Sequence, residues 1–279
     1  MKLGLFGINF GLCAAPAVAV RAARAAEAAG FDSVWTGEHV VLPDPQVPPS
    51  PSPPQTPFLD PAVALAFVAA HTERLRLATG IVILPQRNPV LLAKEMASLD
   101  VVSGGRLVLG LGVGYLAPEF AALGADFPRR GERMDEHLDA LLALWTMEKP
   151  AFSGATVRFA GIDAQPRPVQ KPHPPLVIGA HSPPAWRRTV ARANGWYGFA
   201  MDPDTVARQV AGLAEAARQV ERPPALGPLT LTVTPPRLPD RDAVRRYEDL
   251  GVERLVLLPL ARSADDLVAF VERAAGLAG

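Results

Sequence analysis

Residues 75–114, LRLATGIVILPQRNPVLLAKEMASLDVVSGGRLVLGLGVG, read as strand, loop, helix, turn, strand. Leu75 to Leu84 is apolar and β-branched enough for a fully buried strand. Asn88-Pro89 is a helix start, and Val90 to Val102 repeats its apolar residues at mixed three- and four-residue spacing. Ser103-Gly104-Gly105 stops that helix. Arg106 to Leu111 is a second apolar run that empties into Gly110-Leu-Gly-Val-Gly114. Two buried strands joined by a helix form a βαβ unit, so the strands are parallel.

Working outward, the same alternation recurs along the chain. Strands are predicted at 2–10, 31–36, 75–84, 106–111, 176–178, 195–199, 229–234 and 252–258, with helices between nearly all of them. Pro16 opens a helix to Ala29, Pro61 one to Thr72, and Pro203 one to Val220, each with proline in its favoured first position. Eight alternating units in 279 residues fit a closed (β/α)8 barrel as a single domain, 1–279. An open doubly wound sheet fits less well, because no early strand runs through G-x-G-x-x-G into a helix. Small insertions follow strands two and four. Residues 43–57, PDPQVPPSPSPPQTP, can be neither helix nor inner strand, since proline lacks the amide donor. They are either a lid over strand two or a disordered surface insertion. Phe152 to Phe159 alternates and reads as a small hairpin.

Composition narrows the function. Formal net charge is zero, which argues against nucleic acid as a partner. Cys13 is the only cysteine, so there is neither an intramolecular disulfide framework nor a Cys-built metal site. The N-terminus MKLGLFGINFG reads as a strand, not a signal peptide, and no run approaches the roughly 20 apolar residues of a membrane span. A soluble, cytoplasmic protein is expected.

Barrel sites collect at the C-terminal ends of the strands. Asn9, Glu38-His39, Thr79-Gly80, Gln86 to Asn88, Gly112 to Glu119 and Gly179 to Ser182 all fall there. His39 can serve as acid, base or hydrogen-bond donor. Gly179-Ala180-His181-Ser182 stands directly ahead of a helix, where amides, a hydroxyl and the helix dipole can face a phosphate. Ser182 can equally be an ordinary N-cap. Arg129, Arg130 and Arg133 read either as a solvated, salt-bridged helix face or as a grip on an acidic tail.

Four blocks resemble the luciferase-like monooxygenase superfamily, and within it the branch of F420-dependent oxidoreductases: AAEAAGFDSVWTGEHV (25–40), residues 75–124, RRGERMDEHLDALLALW (129–145) and PPLVIGAHSPPAWRRTVARANGWYG (174–198). The resemblance implies a (β/α)8 barrel that binds F420, or alternatively FMN, at the C-terminal end of its strands. It implies a catalytic role for His39, with Glu38 orienting it or touching the cofactor. It also implies a non-proline cis peptide at Gly80-Ile81 behind the ring, and phosphate loops at Gly112, Val113, Gly114 and Tyr115 and at Gly179 to Ser182. Asn9 and Thr79, at neighbouring strand ends, join the expected cofactor-binding set. Two departures stand out: Pro43 and Tyr115 occupy positions where dehydrogenases of this branch carry Trp and an acidic residue. They argue against alcohol or sugar-phosphate dehydrogenation. Reduction of an activated C=C or C=N bond by reduced F420 remains, as does FMNH2-dependent oxygenation with O2, which needs a separate cofactor reductase. A barrel that only binds flavin or a partner is the third reading. The resemblance further implies a homodimer, through the helices at 61–72 and 90–102.

Overall fold

A computed structural model describes residues 1–179 and 181–277. Eight parallel strands close into a barrel. They are β1 (Lys2–Phe6), β2 (Ser33–Thr36), the split third strand β3 (Arg76–Thr79) and β4 (Val82–Ile83), β5 (Leu107–Gly112), β8 (Leu176–Gly179), β9 (Gly195–Phe199), β10 (Thr230–Thr234) and β11 (Val252–Leu257). Between β5 and β8 lies an antiparallel hairpin of β6 (Phe152–Ser153) and β7 (Arg158–Phe159). Around the barrel run α1 (Pro16–Ala28), α2 (Pro61–Ala69), α3 (Pro89–Val102), α5 (Arg130–Thr146), α6 (Pro183–Arg192), α7 (Pro203–Gln219), α8 (Arg241–Asp249) and α9 (Ala264–Ala275), with the short α4 (Ala117–Ala122) after β5.

The helices begin where local chemistry dictates. Asp60 accepts from the amides of Ala62 and Val63 ahead of Pro61, and Asn88 accepts from Val90 and Leu91 ahead of Pro89. Each cap satisfies orphan amides, and each proline stands where no amide is needed. Between helices and strands lies the main core. A second, smaller cluster fills the barrel itself, with Trp35, Ala78, Val108, Val177, Tyr197 and Val256 among its members. Trp35 stacks on Tyr197 at 5.2 Å, and the Tyr197 hydroxyl shares a 2.6 Å hydrogen bond with Thr234. This plug fills the lower barrel, so open space remains only towards the strand ends.

Two predicted strands are shorter than expected. The first stops at Phe6, not residue 10, because Gly7 turns the chain at φ 86° and Gly7 and Ile8 both donate to the Trp35 carbonyl. The third is interrupted at Gly80-Ile81, whose peptide bond is cis. Closure falls at this interruption. β3 pairs with β5 through Leu77 and Ala78, and β4 resumes through Val82 and Ile83. Between them the Thr79 hydroxyl takes over from the ladder. It donates to the Gly110 carbonyl at 2.7 Å and accepts from the Gly110 amide at 2.8 Å. Thr79→Val keeps the shape but leaves both Gly110 groups buried and unpaired. It should cost about 1–3 kcal/mol, read as a lower denaturation midpoint with unchanged m-value.

Candidate functional site

A hollow of about 630 Å³ opens at the C-terminal ends of the strands. Its walls come from the ends of β1, β2, β3, β4, β5, β8, β9 and β11. Of the residues expected at the site, Glu38, His39, Gly80, Ile81, Val113 and Gly114 line it, as do Tyr115, Gly179, His181 and Ser182. Three others do not. Asn9 is fully buried: its amide donates to the Gly37 and Leu59 carbonyls, and its oxygen accepts from the Gly37 amide. It ties the loop after β1 to both ends of the segment after β2. Thr79 is committed to Gly110. Gly112 makes room for its neighbour, since a Cβ there would lie 2.0 Å from Ile81 Cδ1. Ala180 lies outside the described residues.

His39 is held from both sides. Its Nδ1 stands 3.3 Å from Glu119 Oε2, and its Nε2 stands 3.4 Å from the Tyr115 hydroxyl. Glu119 sits in the first turn of α4 with no exposure to solvent, and its Oε1 accepts from the amides of Val40 (2.6 Å) and Val41 (3.4 Å). The two ring nitrogens are thus divided, Nδ1 towards the Glu119 carboxylate and Nε2 towards the phenol. Glu119, lying among the strand-end residues, was not singled out by sequence. The available signal is an acidic residue in the first turn of a helix that directly follows the glycines of a strand end.

Glu38, beside His39 in sequence, points into a different network. Arg87 Nε donates to Glu38 Oε1 at 2.8 Å, Arg87 Nη2 donates to the same oxygen, and the Ile83 amide donates to Oε2. Arg87 also reaches Asp60 (2.7 Å) and Glu95. Burial pushes the Glu38 carboxyl up, against the pull of Arg87. Burial works against the Arg87 charge too, but Glu38 and Asp60 hold it above the usual arginine range. Glu38 therefore anchors the loop carrying His39 to the end of β4; its oxygens make no contact with His39 among the hydrogen bonds of the site.

The far end of the hollow is formed by Gly179, His181 and Ser182, before α6. The Ser182 side chain makes no capping bond, so its hydroxyl is not used by the helix. The first two helical residues are Pro183 and Pro184, which carry no amide hydrogen. An anion here meets a few neutral donors and a helix dipole. Desolvation pushes the His181 imidazole below the ordinary histidine range. The arginines of α5 stand elsewhere: Arg129 pairs with Glu132 (3.0 Å), Arg130 lies over the Phe127 ring (4.0 Å), and Arg133 donates to the Pro85 carbonyl.

The hollow suits a flat ring. Gly80, Gly112 and Gly179 surround Ile81, where added Cβ atoms would meet Trp35, Phe6 or Ile81 itself, so the wall stays smooth. The volume is within the roughly 300–1,000 Å³ of sites that enclose small ligands. A model of the luciferase-like monooxygenase family matches residues 9–263. The chain belongs to that family. Luciferase-like relatives include the uncharacterized protein Rv0953c of Mycobacterium tuberculosis, 35% identical over 263 residues that cover 91% of each chain. The oxygenase component of a flavin-dependent trigonelline monooxygenase of Acinetobacter baylyi is 32% identical over 160 residues, 57% of this chain and 41% of that one. Among solved structures, an F420-dependent secondary alcohol dehydrogenase has the same fold, with a TM-score of 0.79 at 16% identity over 100% of this chain and 99% of that one.

Luciferase-like barrels of this form make a testable statement about Tyr115. Burial and the charge of Glu119 raise its phenol above the ordinary value; burial raises Tyr197 as well, and Tyr247 up to about 12. A raised value favours the protonated form in the fold, so the associated stability is full below about pH 10 and lost as pH climbs through the folded values. At about pH 10.5 the folded chain should show little phenolate absorbance at 295 nm, while the chain in guanidinium shows most of it. Glu119→Gln should bring one tyrosine, and only one, to ionise at lower pH.

Proposed function

We propose that this chain is an oxidoreductase that uses coenzyme F420 to reduce an activated C=C or C=N bond of a small organic substrate. The observation that carries this reading is the hollow at the strand ends, whose lining lacks a cationic side chain other than histidine among the described residues. Among the described residues lining it there is neither Lys nor Arg. Taken at the phosphate alone, the singly charged phosphodiester of F420 suits the sparse donors around Ser182 better than the doubly charged phosphomonoester of FMN, and the acidic tail of F420 would have to lie outside the hollow.

When bound, the cofactor supplies the hydride. The chain positions it and manages the proton. Gly80 and Ile81 would support the ring, and Gly179, His181 and Ser182 would hold the phosphate. The Tyr115 hydroxyl gives its proton to a substrate acceptor, and His39, facing that oxygen through Nε2 and held by Glu119 at Nδ1, relays the replacement proton. Residues 43–57 bring Pro51 and Ser52 to the rim as part of a cover. The similarity to a flavin-dependent monooxygenase component favours a second reading, FMNH2-dependent oxygenation fed by a separate reductase.

Parallel anaerobic titrations with reduced F420 and reduced FMN decide between them. F420 should bind in the micromolar range or tighter, and FMN at least tenfold more weakly. Tight FMN with no F420 would select oxygenation, and binding of neither would remove both readings.

The same proposal includes a homodimer through α2 and α3, because Val63, Phe67, Leu91 and Val102 stay exposed on those adjacent helices. Sedimentation equilibrium should return twice the chain mass, and Val63→Asp with Leu91→Asp should return the monomer. A wild-type monomer at tens of micromolar would contradict it.

A further inference from the structure

The rim of the hollow is built from rings. Phe6, Phe10, Phe58, Tyr115, Tyr197 and Phe199 all line it. They are arranged in contact: Phe10 stacks on Phe58 at 4.8 Å with 23° between planes, Phe6 meets Phe199 at 5.2 Å, and His39 stands edge-on to Phe58 at 5.4 Å. Leu258, Ile83 and Pro51 fill gaps between them. The one lining carboxylate, Glu38, already carries a cation and an amide as partners. Among the described lining residues, the half-exposed Tyr115 hydroxyl is the donor that His39 and Glu119 back from behind.

A charged molecule entering such a space loses its hydration and finds no counter-ion. A planar apolar one loses only water that wetted the rings, and its π face meets theirs. An acceptor oxygen on its edge can take the phenolic hydrogen. We infer that the substrate is an uncharged, planar, conjugated molecule whose carbonyl-type oxygen is set against Tyr115. Along the aromatic side of the hollow, away from Gly179, His181 and Ser182, an anionic substrate, phosphorylated or carboxylated, meets no cationic side chain. The inference rests on the proposed redox function only in calling this molecule a substrate; the binding chemistry stands on the lining alone.

Three probes test it by calorimetry, on the protein alone and again with saturating F420: 2-acetylnaphthalene, its near-isostere 2-naphthoate, and 1-acetyladamantane, a ketone of compact, non-planar shape. The planar ketone should bind at least about tenfold tighter than the carboxylate and than the adamantyl ketone, and should persist with F420 present. Tyr115→Phe should weaken it about three- to tenfold, and Phe58→Ala more, with circular dichroism unchanged. Equal or tighter binding of 2-naphthoate overturns the inference, as does no binding of any probe at 1 mM. Displacement of the ketone by F420 also overturns it, since the ketone would then occupy the cofactor's place. Whether F420 itself binds is read separately, so the cofactor assignment fails or stands on its own titration.

Discussion

Gly110 has no side chain, and the barrel closes because of that. A Cβ there would lie 1.9 Å from the Thr79 carbonyl oxygen. β3 and β5 can therefore approach closely enough for the Thr79 hydroxyl to bridge the gap left where the third strand breaks. The break itself sets Ile81 against Gly112 and Gly179 on the two following strands. One close approach thus completes the cylinder and shapes a wall of the hollow. Because all eight barrel strands are parallel, their C-terminal ends converge on the same mouth.

The carboxylate that reaches the hollow is paired from behind. Arg87 gathers Glu38 from the end of β2, Asp60 from the cap of α2 and Glu95 from α3. Burying these groups is costly, and the cluster is better understood as fixing the register of three elements than as a source of net stability. Its consequence for function is indirect. With Glu38 held by Arg87 and Ile83, the adjacent His39 ring is left to Glu119 and Tyr115. Two neighbouring acidic-and-basic positions in sequence are thereby divided between two separate networks.

Much of this was legible in the sequence. Apolar runs, N-cap residues and first-turn prolines place the strands and helices to within a few residues, since each depends on local chemistry. The parallel arrangement follows from the helical connections. The glycine-rich strand ends identify the mouth, and ten of the expected site residues do line it. Asn9, Thr79 and Gly112 show the limit of that logic. All three stand at strand ends, yet each is consumed by a partner about 30 to 50 residues away, or by one that only the closed barrel brings near. The Glu119–His39 contact spans 80 residues and depends on the angle at which α4 leaves β5. No periodicity carries such information.

The proline-rich segment gains its meaning from its two ends. Asn9 holds Gly37 at one end and Leu59 at the other, and Gly11 donates to the Pro57 carbonyl. Phe10 and Phe58 pair as an isolated antiparallel bridge with their rings stacked. A segment clamped at both ends has little conformational freedom left to lose, and its prolines restrict it further in the unfolded chain. It can therefore present Pro51 and Ser52 to the hollow without secondary structure of its own. Of the two readings of residues 43–57, a cover or a disordered surface insertion, the clamp bears on the second: Asn9 spends three side-chain hydrogen bonds on the roots of the segment and so fixes where it starts and ends.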